Sequence, residues 1–538
     1  MTTFDLVHEA WVPVLVAGRR QDLPLQDALV RAHEIDGLAM DDPLQTVAVL
    51  RQVLLPVALD ALGAPRTEDE WGRRWEAGAL DGDVLRDYLD QHAGRFDLFH
   101  PTCPFAQVAG LHTAKDETKP VSLLLPAVAT GNNVPLFSAR TEADPPALAP
   151  AEAVRALLAT HCWDTAAIKS GAVGDPEVRA GKTTGNPTGP LGQLGVVVPL
   201  GRSLAETILL NLRIIPQGLR ADDRPQWRAD PPTATWRRRS SLGDLDLLTW
   251  QSRRIRLIPE HGGRGEAVVR RVVLAAGDRL DQVPDFEPHT AWRQEDKPQA
   301  GRPARRPIRH RAGVEAWRGL VALLATAQST GGKDSTSALI QQAADLQVDD
   351  TLALDYPLRA LTVGVVYGTQ SSIVEDVTTD RIPLPVAALT VGSPARGLLM
   401  DLIAQAEGLR NAANRLGGDL RRALGGDKVP WDKGERIGDT LLHELSPAVR
   451  RLLAGLQREP DRVDEAEVAW RQTARQISLD HVESALSSVP AAAFLGRPGE
   501  RGGIQPSIAE ARYQAAVRDI LGVSSPDQSE SVRFITGA

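Results

Sequence analysis

The sequence predicts an α+β protein. A large mixed N-terminal domain of β-hairpins, long loops and helices is expected over residues 1–393, followed by a C-terminal four-helix bundle over 394–538. Three observations carry this reading. The chain has 538 residues, more than one hydrophobic core usually organises. Up to about residue 393, short β-like runs alternate with helical stretches and with breaks rich in Pro, Gly and Asn. Beyond that point the apolar residues recur at helical spacing almost without interruption.

The elements follow in order. "AWVPVLVAGRRQDLPL" reads as strand, turn and strand, with Gly18 in the turn. "LPLQDALVRA" is helical. So is "DDPLQTVAVLRQVLLPVALDAL", which opens with Asp42 before Pro43, a good cap and first-turn pair. Two short helices fit residues 64–95. Residues 96–150 keep breaking period and are expected to run as loops over a core. "PAEAVRALLATHCW" is a helix leading into the Gly- and Thr-rich window "GKTTGNPTGPLGQLG", residues 181–195. "ETILLNLRII" suits a helix or a buried strand. Residues 216–311 are rich in Pro and Arg, with β-like runs such as "RIRLIP" and "AVVRRVVLAAG", and look like a separate small β-containing region. In the last part, Leu398, Leu399, Leu402, Ile403, Ala406 and Leu409 share one helical face. Three further stretches, around Leu441–Leu453, Val468–Leu486 and Ile508–Ile520, repeat that theme.

Composition narrows the class. Hydrophobic residues make up 42%, enough for a globular core. No run of about 18 apolar residues, the length a membrane helix needs, stands out, and "MTTFDLVHEAWVPV" lacks the pattern of a signal peptide. Two cysteines, Cys103 and Cys162, fit a reducing, cytoplasmic setting without a disulfide framework. Net charge is −8, yet residues 224–311 hold nineteen Arg or Lys against eleven Asp or Glu. An acidic scaffold with one basic region is the footprint of a surface facing an anion.

Enzyme signatures are sparse. There is no G-x-S-x-G, no H-E-x-x-H and no paired CxxC. His100, Cys103, His161 and Cys162 are metal candidates by type, but adjacent ligands suit tetrahedral zinc badly; no metal and no cofactor are expected. The segment "TGGKDS", from Thr330 to Ser335, is close to the phosphate loop of ATP pyrophosphatases and raises an adenylating enzyme as the alternative function. Such a loop needs a strand running into it. Here "GVEAWRGLVALLATAQ" precedes it at helical spacing, so the segment reads as a solvated connection between two helices.

Two windows invite a binding role. In residues 181–195, Gly185, Gly189, Gly192 and Gly195 leave little side chain between the backbone and a partner. In "TVGVVYGTQSSIVEDVTTDRIPL" an apolar run ends at Tyr367-Gly368, Thr369, Gln370, Ser371 and Ser372 form a polar tip, and "IVEDV" returns. This is a hairpin whose apex carries an amide able to donate and accept.

Four segments, in this order, give the chain a resemblance to a known family: "FDLVHEAWVPVLV", "HPTCPFAQVAGL" at 100–111, "GNPTGPLGQLG" with "AETILLNL", and "YGTQSSIVED". Together with the helical C-terminus they resemble the large subunit of the type I-E CRISPR Cascade surveillance complex, the CasA family, over nearly the whole chain. The resemblance implies a non-catalytic subunit of an RNA-guided antiviral complex. It implies recognition of the protospacer-adjacent motif (PAM) in double-stranded DNA from the minor groove, by a glycine loop on Gly185, Asn186, Thr188, Gly189 and Gly192. It implies a wedge on Gly368, Thr369, Gln370 and Ser371 that opens the duplex and starts the R-loop. The loop "ATGNNVPLF", through Asn132, Asn133 and Phe137, is implied to contact the guide RNA 5′ end or neighbouring subunits. The implied partners are the backbone, 5′-handle-capping and small helical subunits and a helicase-nuclease, with no membrane. Two departures stand out. Some relatives carry a four-cysteine zinc ribbon, but no cysteine follows Cys162 and "EHGGRGEAVVRR" occupies that region. The family's lysine finger has no clear counterpart; Arg270, Arg271 and Arg279 are candidates for its role.

Overall fold

A computed structural model describes residues 2–128, 146–263, 265–297, 304–325, 333–424, 436–495 and 505–522. The chain forms two compact units. The first comprises Met1–Val314, Gly331–Leu346 and Ala360–Arg381; the second comprises Glu315–Thr330, Gln347–Arg359 and Ile382–Ala538. Residue 394, where the helical part was expected to start, is the first residue of a 30-residue helix capped by Ser393. The second unit also gathers two earlier segments. The protein is mixed α+β with a helical C-terminal region.

In the first unit, strands Val12–Val16 and Arg19–Leu23 pair antiparallel with Val16 opposite Arg19. Ala17 and Gly18 form the turn with φ of 48° and 71°, a two-residue geometry that matches the twist of a hairpin. Helices Pro43–Val49 and Leu55–Leu62 are joined by a π-helical turn, Leu50–Leu54. Pro56 has no N–H to give to the carbonyl of Gln52, and the widened turn lies there. The Asp42 carboxylate accepts the Leu44 N–H at 2.8 Å, as its sequence position predicts. By length and composition the stretch Pro43–Leu62 could cross a membrane, which corrects the expectation that no such run exists. Its apolar window is 78% buried inside the protein, as befits a core helix. Inside that helix Arg51 is buried in a bidentate pair with Glu287 (2.7 and 2.5 Å) and meets His289 Nδ1 at 2.6 Å. The His289 Nε2–H then reaches Asn211 Oδ1 at 3.0 Å.

The basic region 216–311 is not a separate module. Its long hairpin, Arg253–His261 with Ala267–Ala276, is antiparallel and carries an irregularity between Val269 and Arg271. Ala267–Ala276 also pairs with Lys119–Pro120 and with Lys169–Ser170, and the latter pairs with Lys182–Thr183. Strands from three distant parts of the sequence thus share one sheet. "ETILLNLRII" settles as the helix Leu204–Leu210, capped by Ser203. A second sheet has the order Val374–Pro383, Arg359–Tyr367, Val196–Leu200.

The TGGKDS segment also departs from expectation. Asp334–Ser335 is a short strand paired with Trp292–Gln294, and Gln294 donates its N–H to the Lys333 carbonyl at 2.7 Å. The Asp334 carboxylate takes two bonds from the Arg293 guanidinium, at 2.6 and 2.7 Å. A sheet edge with an ion pair replaces the expected solvated connection from Lys333 onward. Ahead of it runs the short helix Leu320–Leu323, not a strand, as the sequence suggests.

In the second unit four long helices dominate: Pro394–Ala423, Ile437–Arg458, Val463–Ser487 and Pro506–Leu521. The first packs against each of the other three, and the third packs against the second and the fourth. The predicted stripe Leu398, Leu399, Leu402, Ile403, Ala406 and Leu409 is buried. Close approach is set by glycine: an added Cβ on Gly438 would overlap the Arg410 carbonyl. Trp470 Nε1–H donates to Gln405 Oε1 at 2.8 Å across the interior.

Candidate nucleic-acid interface

The site is organised by the end of one buried helix, Pro150–Trp163. Past its last turn, Asp164 is 9% exposed and faces two cations. Lys169 Nζ lies 2.7 Å from its carboxylate and the Arg253 guanidinium bonds the same oxygen. Burial alone would raise the Asp164 carboxyl, but Lys169 and Arg253 override it and hold it below the usual carboxylate range. Arg253 is 1% exposed and donates further to the carbonyls of Thr165 and Pro187, both at 2.8 Å. A buried guanidinium therefore grips the glycine window from beneath. Breaking such a pair strands a buried charge, at about 3–5 kcal/mol.

The predicted glycines divide into two kinds. Gly185 is exposed and left-handed at φ +68°, so its backbone is open to a partner. Gly189 and Gly192 are buried, and their missing side chains serve internal packing rather than approach to DNA. A Cβ on Gly189 would strike the Cys162 carbonyl, and one on Gly192 would strike the Tyr367 hydroxyl. Gly189 N–H also bonds the Asp164 carbonyl at 2.8 Å. Asn186 is 5% exposed and its amide donates to the carbonyls of Thr183 and Ala167 at 3.0 and 3.3 Å. It shapes the loop from inside. Thr188 is half-buried.

The hairpin lies against this loop. Its strands are Arg359–Tyr367 and Val374–Pro383, as read from the sequence. The Tyr367 hydroxyl donates to the Trp163 carbonyl at 2.5 Å and fills the hollow over Gly192. Burial raises its phenol well above the ordinary range, so it stays protonated and a donor. Ala166 N–H bonds the Ser371 carbonyl at 2.8 Å, and Gly368 N–H bonds the Ile373 carbonyl at 3.1 Å. The tip is a tight turn closed by the Ser372 N–H on the Thr369 carbonyl at 3.1 Å, in which Gln370 and Ser371 both adopt left-handed φ, 53° and 55°. Two adjacent non-glycine residues in that region are costly, and structures tolerate them where the surroundings over-determine the backbone. A Cβ on Gly368 would meet the carboxylate end of the exposed Glu375 side chain and the Ile373 side chain. Thr369 and Gln370 are exposed.

The arginine candidates separate as well. Arg279 is packed over the Trp236 ring at 3.9 Å and donates to the Thr184 carbonyl at 2.9 Å. It supports the glycine loop and is only 11% exposed, so it is no free finger. Arg271 is tied to Thr118 through Oγ1 (2.8 Å) and the carbonyl (2.5 Å). Arg270 is 43% exposed beside Glu260 at 3.9 Å. The partners named for both, Thr118 and Glu260, lie outside the loop and the tip. Asn132, Asn133 and Phe137 lie outside the described residues. Of the metal candidates, Cys103 Sγ meets His100 Nδ1 at 3.1 Å, while Cys162 is buried against the Gln52 amide at 3.0 Å. Burial pushes the Cys162 thiol up to about 12 and the neighbouring His161 down to about 4. Sequence reasoning missed Asp164, Lys169, Arg253 and Tyr367, which hold the loop and the hairpin in one assembly. Only Tyr367 carried a signal, by its place just before the tip.

The likeness of this chain to known sequences and structures makes it a CRISPR-associated protein. The sequence model of the CRISPR-associated protein Cse1 family matches residues 5–481. A curated relative, CasA/Cse1 of Thermus thermophilus, is 31% identical over 509 residues, 89% of this chain and 91% of that one. Among solved structures, Cse1 of Thermobifida fusca superposes with a TM-score of 0.85 at 31% identity, covering 97% of this chain and 99% of that one. Cse1 of Acidimicrobium ferrooxidans gives 0.83 at 30%, covering 98% and 100%. The chain belongs to the Cse1 family, also called CasA.

Proposed function

We propose that this protein is the large, non-catalytic subunit of a type I-E Cascade surveillance complex, in which it recognises the PAM from the minor groove and wedges the duplex open. The observation that carries the reading is a glycine loop, exposed and left-handed at Gly185, that packs at Gly192 against Tyr367 at the base of the exposed Gln370 tip. Minor-groove edges are degenerate, with acceptors on every pair and one further donor on guanine. A reader built from backbone and one amide suits such a surface. The stiff two-stranded base of the tip lets Gln370 enter a stack without recoil. Family membership supports the assignment. So does the likeness of fold to a chain of a structure titled "CRISPR RNA-guided surveillance complex", which covers 96% of this chain with a TM-score of 0.66.

Within that assembly the segment "ATGNNVPLF", with Asn132, Asn133 and Phe137, meets the guide RNA 5′ end or a neighbouring subunit. The four long helices act as a bundle that docks on the small helical subunits. The opened target is handed to a helicase-nuclease, and the setting is cytoplasmic. The adenylating alternative loses support because Asp334 is engaged by Arg293.

The test is Gln370→Ala in the assembled complex. Opening the first pair costs roughly 1–2 kcal/mol of stacking, and alanine has neither reach nor polarity to offset it. R-loop initiation on closed duplex should slow strongly, and a bubble pre-opened beside the motif should restore it. Equal defects on both substrates would show that Gln370 supplies binding contacts and no strand separation.

A further inference from the structure

Beside the hairpin tip lies a cavity of about 300 Å³ that the assignments above do not use. It is lined on one side by Ser372 and Val374 of the returning strand, and on the other by Trp163, Asp164, Ile168 and Lys169. These residues end the helix Pro150–Trp163 and follow it, in the segment whose Ala166 N–H bonds the Ser371 carbonyl. The cavity is therefore adjacent to the point where the tip is anchored. Its wall is mainly apolar, with Leu274 among the contributors. Ile168 is 59% exposed at this wall. Polar side chains interrupt the apolar lining: Lys119, Thr160, Thr165, Ser170 and Ser372, beside the Asp164–Lys169 pair. At that pair Asp164 faces Lys169 and also Arg253, which is not part of the lining, leaving one positive charge in excess. Lys169 is 6% exposed.

Each property narrows the ligand. Small-molecule pockets begin at about 300 Å³, so this one suits a single base-sized group. An apolar slot with hydroxyls and cationic groups on its wall fits a flat apolar body whose edge bears carbonyl or ring-nitrogen acceptors. Extruded bases are held in this manner, between apolar side chains with polar groups at the base edge. A duplex opened at Gln370 releases two such bases within reach of Ser372.

We infer that this cavity captures one unpaired nucleobase of the first pair opened beside the motif, which keeps that pair from re-closing. The inference rests on the wedge reading. It adds a second contribution to opening: the tip separates the pair, and the cavity retains one partner.

The experiment uses the assembled complex with guide RNA and targets whose first pair is thymine opposite 2-aminopurine, in both orientations. Emission of 2-aminopurine reports opening, and permanganate reactivity of the thymine reports whether that base is shielded. A naked bubble of the same sequence sets full reactivity. In one orientation the pair should open while its thymine is at least ~5-fold less reactive than in the bubble; in the other, the thymine should react fully. The orientation that shows protection identifies the captured strand. Ile168→Glu, which sets a carboxylate at an exposed position of the wall, should restore reactivity. So should Val374→Trp, which fills the cavity, so either variant suffices if the other fails to assemble. Opening with both thymines fully reactive would overturn the cavity and leave the wedge standing; a guide-RNA base in the cavity gives this same result. Protection that survives both substitutions would also overturn it. No opening in either orientation would sink the wedge reading and this inference together.

Discussion

Tyr367 shows how one side chain can join two segments that the sequence leaves apart. Its hydroxyl bonds the Trp163 carbonyl and its ring occupies the space that Gly192 leaves empty. Tyr367→Phe keeps the ring and removes the donor, leaving a carbonyl without that bond at a cost of about 1–3 kcal/mol. The expected result is a lower melting temperature with the fold retained, together with slower opening of closed duplex and normal use of bubbled duplex. Gly192→Ala should be harsher, because the added methyl overlaps the hydroxyl itself and the loop and hairpin must part. A thermal melt of the two variants checks the order; a Gly192→Ala protein as stable as the parent would refute the packing role. None of this was legible in advance. The glycines were visible as glycines, but whether each faces a ligand or a neighbour depends on a tyrosine some 175 positions further on. Asp164, Lys169 and Arg253 were invisible for the same reason: a buried ion cluster has no local spacing.

At the scale of elements, the hairpin was the most legible feature of the site. An apolar run, a glycine and a polar apex form a local pattern, and strands and tip fall where that pattern puts them. What the pattern could not give is the backbone at the apex, where Gln370 and Ser371 are both left-handed. A β-branched residue is least tolerant of that region. Ser371→Val should destabilise the tip by about 1–3 kcal/mol, whereas Ser371→Asn, which visits it readily, should be neutral. Proteolysis at the tip and duplex opening would separate the two variants, and equal behaviour would show that the strain is not held. The edge strand Asp334–Ser335 was misread because glycine and serine suggest a loop, while the strand exists only through its partner Trp292–Gln294. Asp334→Ala removes the carboxylate from a half-exposed arginine pair and should cost at most about 1 kcal/mol. DNA binding should be unchanged and ATP should not be hydrolysed. ATP turnover lost in that variant would revive the adenylating alternative.

For the whole molecule, the helical C-terminal part was legible because helical periodicity needs no partner to be seen, whereas the sheet of the first unit draws strands from residues 119, 169, 182, 253 and 267 onward. That long-range construction leaves two buried histidines among the described residues of the first unit, and burial also lowers a third, His310, which acts in the same direction. His161 gives one ring nitrogen to the Ala106 carbonyl, and His289 sits between Arg51 and Asn211. Burial, the largest cause in both, holds His161 down at about 4 and His289 well below its ordinary value; Arg51 adds to the depression of His289. The sign follows from proton counting. Above about pH 6.5 both states carry neutral imidazoles and contribute no pH dependence. Below it the unfolded chain takes up protons that the folded chain refuses, so stability falls with falling pH. For His161 the loss continues until the pH passes its folded value near 4. Each histidine contributes a slope of up to roughly 1.4 kcal/mol per pH unit in that window. Asp164, whose carboxyl is held low, reinforces the trend at the acid end, where its ionised form is lost. The melting temperature should therefore be flat from pH 8 to 7 and drop steeply from pH 6 to 5. His289→Gln should flatten the acid slope even though it lowers stability at neutral pH, because Gln cannot be protonated. An unchanged slope in that variant would assign the acid sensitivity to other groups.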